Sequence, residues 1–375
     1  MASRDEERDQ PRRKFLAATG KTLLLAAGAG IARRLGAQTR GLDVATGQSG
    51  EKIRGFPFEQ LNSFLTPTDK FYYRSHLEIP RINPASYRVQ VGGWVERPFT
   101  LSLPEISRLA RASRPVTFEC TGTSVGGSMI STAQWTGPLI QPLLERARPK
   151  PGAVEVVMEG YDAGLDEFLP VPVQFARSVP LSLLHEVGAI LALQMNGDPL
   201  PAVHGYPARV ILPGLYGVLH VKWLSRLTVV NKPFRGFYQT QRYVGMQRTP
   251  AGVQVQEIHR QRVKSQMARI EPQPEKGKGA YRIVGAAWSG GSGVRKVEVS
   301  TDGGKNWALA AMDPVRDPCA WVIFTYDWVA SPGTHEVVVR ATDGKGRSQP
   351  MERDPSVLTG YINNWCHRKT LTVPA

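Results

Sequence analysis

Phe118-Glu119-Cys120-Thr121-Gly122 closes a β-rich run on a cysteine, and Ser131-Thr132-Ala133-Gln134-Trp135-Thr136-Gly137 follows across a loop full of glycine and serine. A lone cysteine is more often a small buried apolar side chain than a ligand, so its meaning depends on what surrounds it. Around it, short β-rich runs such as Tyr87-Arg88-Val89-Gln90-Val91 mix with short helical stretches such as residues 140–146, separated by many prolines and glycines. This is an α+β pattern, and it extends from Ser63 to about Arg235.

From about Glu257 the character changes. Val297 and Val299 alternate with polar neighbours and run into the turn signal Ser300-Thr301-Asp302-Gly303-Gly304. Trp321-Val322-Ile323-Phe324 and Glu336-Val337-Val338-Val339-Arg340 read as further strands, the second closed by Asp343-Gly344. Short strands ended by such turns predict a β-sandwich of about 100 residues. A polar segment rich in Arg and Gln, residues 234–269, joins the two regions. A chain of 375 residues exceeds one ordinary core, and the expected domains are 63–250 and 257–375.

Residues 1–37 belong to neither. Pro11-Arg12-Arg13-Lys14-Phe15-Leu16 precedes a mildly apolar, Ala- and Gly-rich run that ends at Arg33-Arg34 and Gly36-Ala37. The run is too weak for a membrane span of about 20 strongly apolar residues, so the chain is not expected to cross a membrane. Its order of basic, apolar and small regions reads as a cleaved export signal. The paired arginines resemble the twin-arginine type, which delivers folded proteins to the periplasm.

The net charge is +15; residues 1–37 hold eight Lys or Arg and four Asp or Glu, so their removal leaves +11. Such a surface would steer small anions or an acidic protein partner. Nucleic acid is not expected as a partner, because no helix-turn-helix, zinc finger or aromatic-studded basic strand is present. Cys120, Cys319 and Cys366 are an odd, scattered set, which is a poor disulfide framework. No haem-attachment or zinc spacing is present, so no haem is expected in this chain.

The residues around Cys120 do not stand alone. Phe71-Tyr72-Tyr73-Arg74-Ser75-His76 precedes them. Asn196-Gly197-Asp198-Pro199-Leu200 follows, then His204-Gly205-Tyr206-Pro207-Ala208-Arg209, Pro213-Gly214, Gly217 and His220-Val221-Lys222-Trp223-Leu224. In this order they resemble the sulfite oxidase family, haem-free bacterial type. Val297 to Trp307 resembles the start of that family's C-terminal immunoglobulin-like dimerisation domain, and Gly360-Tyr361-Ile362-Asn363-Asn364-Trp365 its last segment. The resemblance covers nearly all of the chain from Ser63 onward.

The resemblance implies an α+β molybdopterin-binding domain followed by an immunoglobulin-like sandwich, a molybdenum-molybdopterin cofactor and a homodimer. It makes Cys120 the thiolate ligand of molybdenum, catalytic together with Arg74. A soft thiolate suits a metal that changes oxidation state while shedding an oxo group. Cofactor contacts are implied for Tyr73, Arg74, Ser75, His76, Asp162, His204, Arg209, His220, Val221 and Lys222. Arg209 and Lys222 are the charges wanted around a phosphate. Cys319 and Cys366 match nothing catalytic and are expected to be structural.

The substrate is where this sequence departs from the family. Sulfite-oxidising members place an arginine five residues after the cysteine, where this chain has Val125. They also carry a tyrosine before a Ser-Ile-Pro-Leu stretch, and here Phe175 precedes Arg177-Ser178-Val179-Pro180-Leu181. An anion site without that guanidinium loses a charge-assisted contact, and phenylalanine donates no hydrogen bond. The expected function is oxidation of sulfite or a related small, anionic or sulfur-containing compound, with electrons passed to an external acceptor such as cytochrome c. Alternatives are reduction of an S-oxide or N-oxide, or a weakly catalytic subunit of a larger sulfur-oxidising complex.

Overall fold

The computed structural model describes Ala45–Thr46 and residues 52–375; the expected export signal, 1–37, lies outside the described residues. The N-terminal half is built on two sheets. One has five strands in the order Pro172–Pro180, Glu155–Leu165, Leu224–Val230, Arg88–Gly93 and Phe99–Ser102. All neighbours are antiparallel except Leu224–Val230 and Arg88–Gly93, which run parallel. The alternation that predicted a strand at residues 87–91 is seen directly: Val89 and Val91 are buried while Arg88 and Gln90 face water.

The second sheet runs Asp198–Pro199, Gln194–Met195, Ile130–Gly137 and Ala112–Glu119. Ala112–Glu119 and Ile130–Gly137 pair from Ala112 opposite Gly137 to Glu119 opposite Ile130, so Cys120 sits at the loop end of an eight-residue hairpin ladder. Both strands are buried at that end, with Phe118, Ile130, Ala133 and Trp135 in one apolar cluster.

Helix is scarcer than the α+β expectation implies. Among the described residues the α-helices are Leu103–Ser107, Gln141–Ala147 and Leu181–Val187, none longer than seven residues. The expected helix at residues 140–146 appears one residue later, held by buried Leu143, Leu144 and Ala147. Helices this short are marginal in isolation and persist by packing, and the chain's 29 prolines and 37 glycines cut them off early. The domain is therefore mostly strand.

The C-terminal region is two four-stranded sheets over a shared core. Lys264–Pro272, Ala280–Trp288, Val322–Val329 and Ala311–Met312 form one; Ala308–Leu309, Val294–Ser300, Gly333–Asp343 and His367–Val373 form the other. Met267, Ile283 and Phe324 from the first meet Val297, Val299, Val337 and Val339 from the second. The expected turn at 300–304 forms, with Gly303 and Gly304 at φ 77° and 95°, a region that L side chains avoid. The connecting segment is more regular than its composition indicated: a single π-helical turn, Tyr238–Arg242, leads into the hairpin Val244–Thr249 and Gly252–Glu257.

The two halves share a core. Trp288 and Trp321 of the sandwich belong to the same buried cluster as Phe118 and Trp135. Hydrogen bonds stitch the sandwich to the Cys120 strand: Thr117 N donates to Cys319 O (2.9 Å), Trp321 N to Thr117 Oγ1 (2.7 Å) and Gln261 Nε2 to Thr117 O (2.9 Å). Arg114 clamps Asp317 with two bonds of 2.8 and 2.9 Å.

Candidate active site around Cys120

Glu119 ends the strand and Cys120 begins the loop, its N–H still bonded to Met129 O at 3.0 Å. Behind it, Glu119 is buried with its carboxylate between Lys264 Nζ (2.8 Å) and Trp288 Nε1 (2.8 Å), both from the sandwich. In front of it lies a cleft whose empty space, open mouth included, is about 680 Å³. Burial raises the Cys120 thiol, while the Gly122 N–H, the Arg74 charge and the Thr123 hydroxyl pull it back toward the thiolate. A metal cation at the sulfur would complete the deprotonation.

The cleft gathers Tyr73, Arg74, Ser75, His76, Cys120, Asp162, His204, Arg209, His220 and Lys222 from four separate stretches of sequence. Lys222 Nζ reaches Ser75 Oγ (2.6 Å), Val203 O (3.1 Å) and Arg74 O (3.2 Å), tying the 73–76 segment to the 204–222 segment. Burial pushes the Asp162 carboxyl up and the Lys222 ammonium down, and each charge opposes the other's shift. Arg209 donates to His204 O and His220 O, both at 2.9 Å, and its guanidinium lies over Phe118 and Trp135. His204, driven by burial to a pKa of about 3, is a neutral imidazole edge-on to Phe71 and Tyr73.

Two expected contacts differ. Val221 is not brought to the cleft: its side chain is fully buried in the apolar core, its N–H is bonded to Leu219 O and its carbonyl accepts from Val210 N. It lies between His220 and Lys222, and the short 3₁₀ turn before it points the central side chain away. His220 lines the cleft, yet both ring nitrogens are committed. Its Nδ1 accepts from Leu212 N (3.1 Å) and its Nε2 donates to Leu215 O (3.1 Å), so it can offer a ligand its ring face and not a nitrogen.

The structure adds Phe71, Tyr72, Phe118, Gly217, Val218 and Tyr243 to the lining, and places Phe175 there as well. Gly217 has a local reason: a Cβ at that position would stand 2.6 Å from the Tyr72 hydroxyl. Tyr243, which belongs to none of the quoted motifs, carried no local signal. Val125 is half-buried in the loop and is not among the lining residues. Arg242 is taken up outside the lining, paired with Glu167 (2.5 Å) and stacked over Phe168.

The walls are built for a polar guest. Arg74 Nε, Asp162 Oδ1, His204 Nε2 and Arg209 Nε are buried lining atoms without a hydrogen-bond partner. Each such atom costs about 1–3 kcal/mol unless something binds it, so a large ligand rich in hydrogen-bonding groups fits. Among the described residues no cluster of three or more His, Cys, Asp or Glu could hold a bare metal ion. A metal at Cys120 would take its remaining ligands from a group that the protein binds, as a pterin dithiolene would supply.

Comparison with known proteins agrees. Residues 76–238 match the oxidoreductase molybdopterin binding domain, and residues 254–373 match the Mo-co oxidoreductase dimerisation domain. The sulfite oxidase of Gallus gallus is 31% identical over 344 residues, which cover 81% of this chain and 72% of that protein. The chain belongs to the sulfite oxidase family. Another family member, the sulfite oxidase of Arabidopsis thaliana, is 30% identical, with 83% of this chain and 89% of that protein covered. The chain spans about three-fifths (61%) of the length of the mitochondrial sulfite oxidase of Homo sapiens, to which it is 31% identical. Among solved structures, the sulfane dehydrogenase SoxCD from Paracoccus pantotrophus superposes with a TM-score of 0.77 at 26% identity, covering 88% of each chain. The chain therefore carries that family's molybdopterin-binding domain, and the cleft at Cys120 fits that cofactor.

Cys319 and Cys366 are buried free thiols outside the cleft, both raised by burial to about 11. Neither is poised as a nucleophile or ligand.

Proposed function

We propose that this protein oxidises sulfite or a related sulfur compound by oxo transfer at a molybdenum held through Cys120 Sγ, and passes the electrons to an external acceptor such as cytochrome c. The observation that carries this reading is the placement of the Cys120 thiol in a cleft whose lining presents four buried, unpartnered polar atoms. When bound, the molybdenum-molybdopterin supplies two-electron exchange of an oxygen atom with sulfur. The chain does the rest. Asp162, Lys222, Arg209 and His204 hold the pterin and its phosphate, with Tyr73, Ser75 and the His220 ring face against it. Arg74, whose charge bears on the Cys120 sulfur, meets the anionic substrate on the open side. Phe118, Phe175 and Tyr243 wall the reacting centre from bulk water.

The substrate need not be sulfite itself. The likeness to a sulfane dehydrogenase, with valine and phenylalanine at positions 125 and 175, supports a related sulfur compound or a role as subunit of a larger sulfur-oxidising complex. Purified protein should contain molybdenum and show a paramagnetic signal that changes on adding its substrate. Steady-state assays with sulfite, other reduced sulfur compounds and sulfoxides, using artificial electron carriers, then select the reaction. Metal-loaded protein that turns over none of the sulfur compounds unaided, yet does so with a partner captured from the periplasm, would favour the subunit reading. Faster reduction of a sulfoxide than oxidation of any sulfur compound would overturn oxidation as the function.

The two-sheet region is proposed to be an immunoglobulin-like module that pairs two copies of the chain. The protein is further proposed to reach the periplasm by the twin-arginine route. Replacing Arg12 and Arg13 together by lysine keeps the charge but removes the paired guanidinium groups, and is expected to leave the protein in the cytoplasm. Fractionation followed by immunoblotting checks this; an unchanged periplasmic yield would mean another route.

A further inference from the structure

We infer that Tyr243 is a specificity-determining residue whose hydroxyl, positioned by His76, meets a sulfur oxyanion beside Arg74 and supplies the phenol that Phe175 lacks. The inference rests on the proposed reading of the cleft and adds to it a residue from outside the motifs around Cys120.

Tyr243 follows the π-helical turn Tyr238–Arg242, and its buried ring lines the same cleft as Cys120, Arg74 and Phe175. Cys120 and Arg74, the two groups assigned to the reacting centre, are among its electrostatic neighbours, with Tyr361 and Arg242 beside them. The Tyr243 hydroxyl lies 2.7 Å from His76 Nε2. His76 is held on three sides: it stacks on Phe175 with an interplanar angle of 9°, and packs against Tyr238 (5.2 Å) and Tyr243 (5.5 Å).

The direction of that hydrogen bond is set by which imidazole nitrogen holds the proton. Burial drives His76 to a pKa of about 3, so the ring is neutral and carries one proton. Its other nitrogen, Nδ1, is 4.0 Å from Asp166 Oδ2, beyond hydrogen-bond reach, and that oxygen already accepts from the Tyr238 hydroxyl at 2.8 Å. With no hydrogen bond holding the proton at Nδ1, we place it on Nε2, from where it donates to the Tyr243 oxygen. The Tyr243 O–H then has no partner of its own and is available to an anion in the cleft.

Phe175 supports the imidazole and leaves the anion to Tyr243. Its ring face lies against His76, so it helps orient the imidazole and has no hydroxyl to offer the substrate. One cation and one phenol converge here, a weaker anion trap than several guanidinium groups would make. The expected ligand is a small sulfur oxyanion held by a few directed bonds.

The test uses the metal-loaded, full-length protein and two readouts, sulfate affinity by titration calorimetry and the steady-state constants for sulfite. Tyr243→Phe is expected to weaken sulfate binding about tenfold or more and to raise the Michaelis constant for sulfite by a similar factor, as loss of a bond to a charged group does. The maximal rate should change far less, and metal content and the paramagnetic spectrum should be unaltered. Phe175→Tyr in the Tyr243→Phe background should recover part of the affinity. Unchanged sulfate affinity in Tyr243→Phe, loss of affinity only in step with loss of metal, or no sulfate binding by the unaltered protein would each overturn the inference. If the protein binds sulfate through Tyr243 but turns over no sulfur compound, the proposed reaction fails while the anion site stands.

Discussion

Cys120→Ser is expected to reduce turnover to background in a protein that still folds. Serine keeps the size of the side chain and the backbone bond from residue 120 to Met129, so the hairpin end should be preserved. What it removes is the soft, polarisable sulfur, and a hydroxyl buried at this position is a poor ligand for a metal that cycles between oxidation states. Residues that merely orient a metal's ligands cost about 10- to 100-fold when replaced, and loss of the ligand itself should exceed that. Stability should change little, because the side chain only borders the apolar cluster and serine keeps its size. The measurement is turnover with an artificial acceptor alongside elemental analysis and circular dichroism. Near-normal activity with full metal content would remove Cys120 from the centre of the site.

The second large effect is expected one residue earlier. Lys264 and Glu119 are an ion pair with both side chains almost wholly out of water, at 1% and 2% exposure, and Trp288 Nε1 donates to the other carboxylate oxygen. Such a pair adds little by itself, since two desolvated charges roughly offset their attraction, but removing one partner strands the other. Lys264→Met is therefore expected to destabilise the protein by roughly 3 to 5 kcal/mol, visible as a lowered melting temperature and as reduced metal content. Adding Glu119→Gln should restore most of the loss, because the amide oxygen can still accept from Trp288 and no charge is left behind. A Lys264→Met protein that melts normally would mean the carboxylate finds water or another donor. Because Glu119 adjoins Cys120, partial metal loss in the single variant and its recovery in the double variant would tie the sandwich to the geometry of the sulfur.

The parts of the site that sequence revealed are those written in short, contiguous patterns. Tyr73 to His76, His204 to Arg209 and His220 to Lys222 each bring several lining side chains on one turn or strand end, so their spacing carries their meaning. Val221 is the exception inside such a pattern, because successive residues of an irregular segment face different ways and only the fold decides which way is inward. Tyr243 was illegible for a different reason. Its partner His76 is 167 residues away, and a lone tyrosine after a polar linker says nothing of which cleft it enters. Strand alternation made the sandwich legible, whereas the scarcity of helix was not, since short amphipathic stretches look alike whether they coil or extend.

The seam between the two halves bears on inheritance. Thr117, Glu119 and Phe118 are satisfied by Gln261, Lys264, Trp288, Cys319 and Trp321, so the strand that carries the sulfur is finished by residues more than a hundred positions downstream. A gene fusion that exchanged the C-terminal region for a relative's would have to bring matching donors for the Glu119 carboxylate and apolar cover for Phe118. Recombination at the linker is thus constrained even though the strand Gly252–Glu257 there is exposed, and the two regions are expected to be transmitted as a single unit.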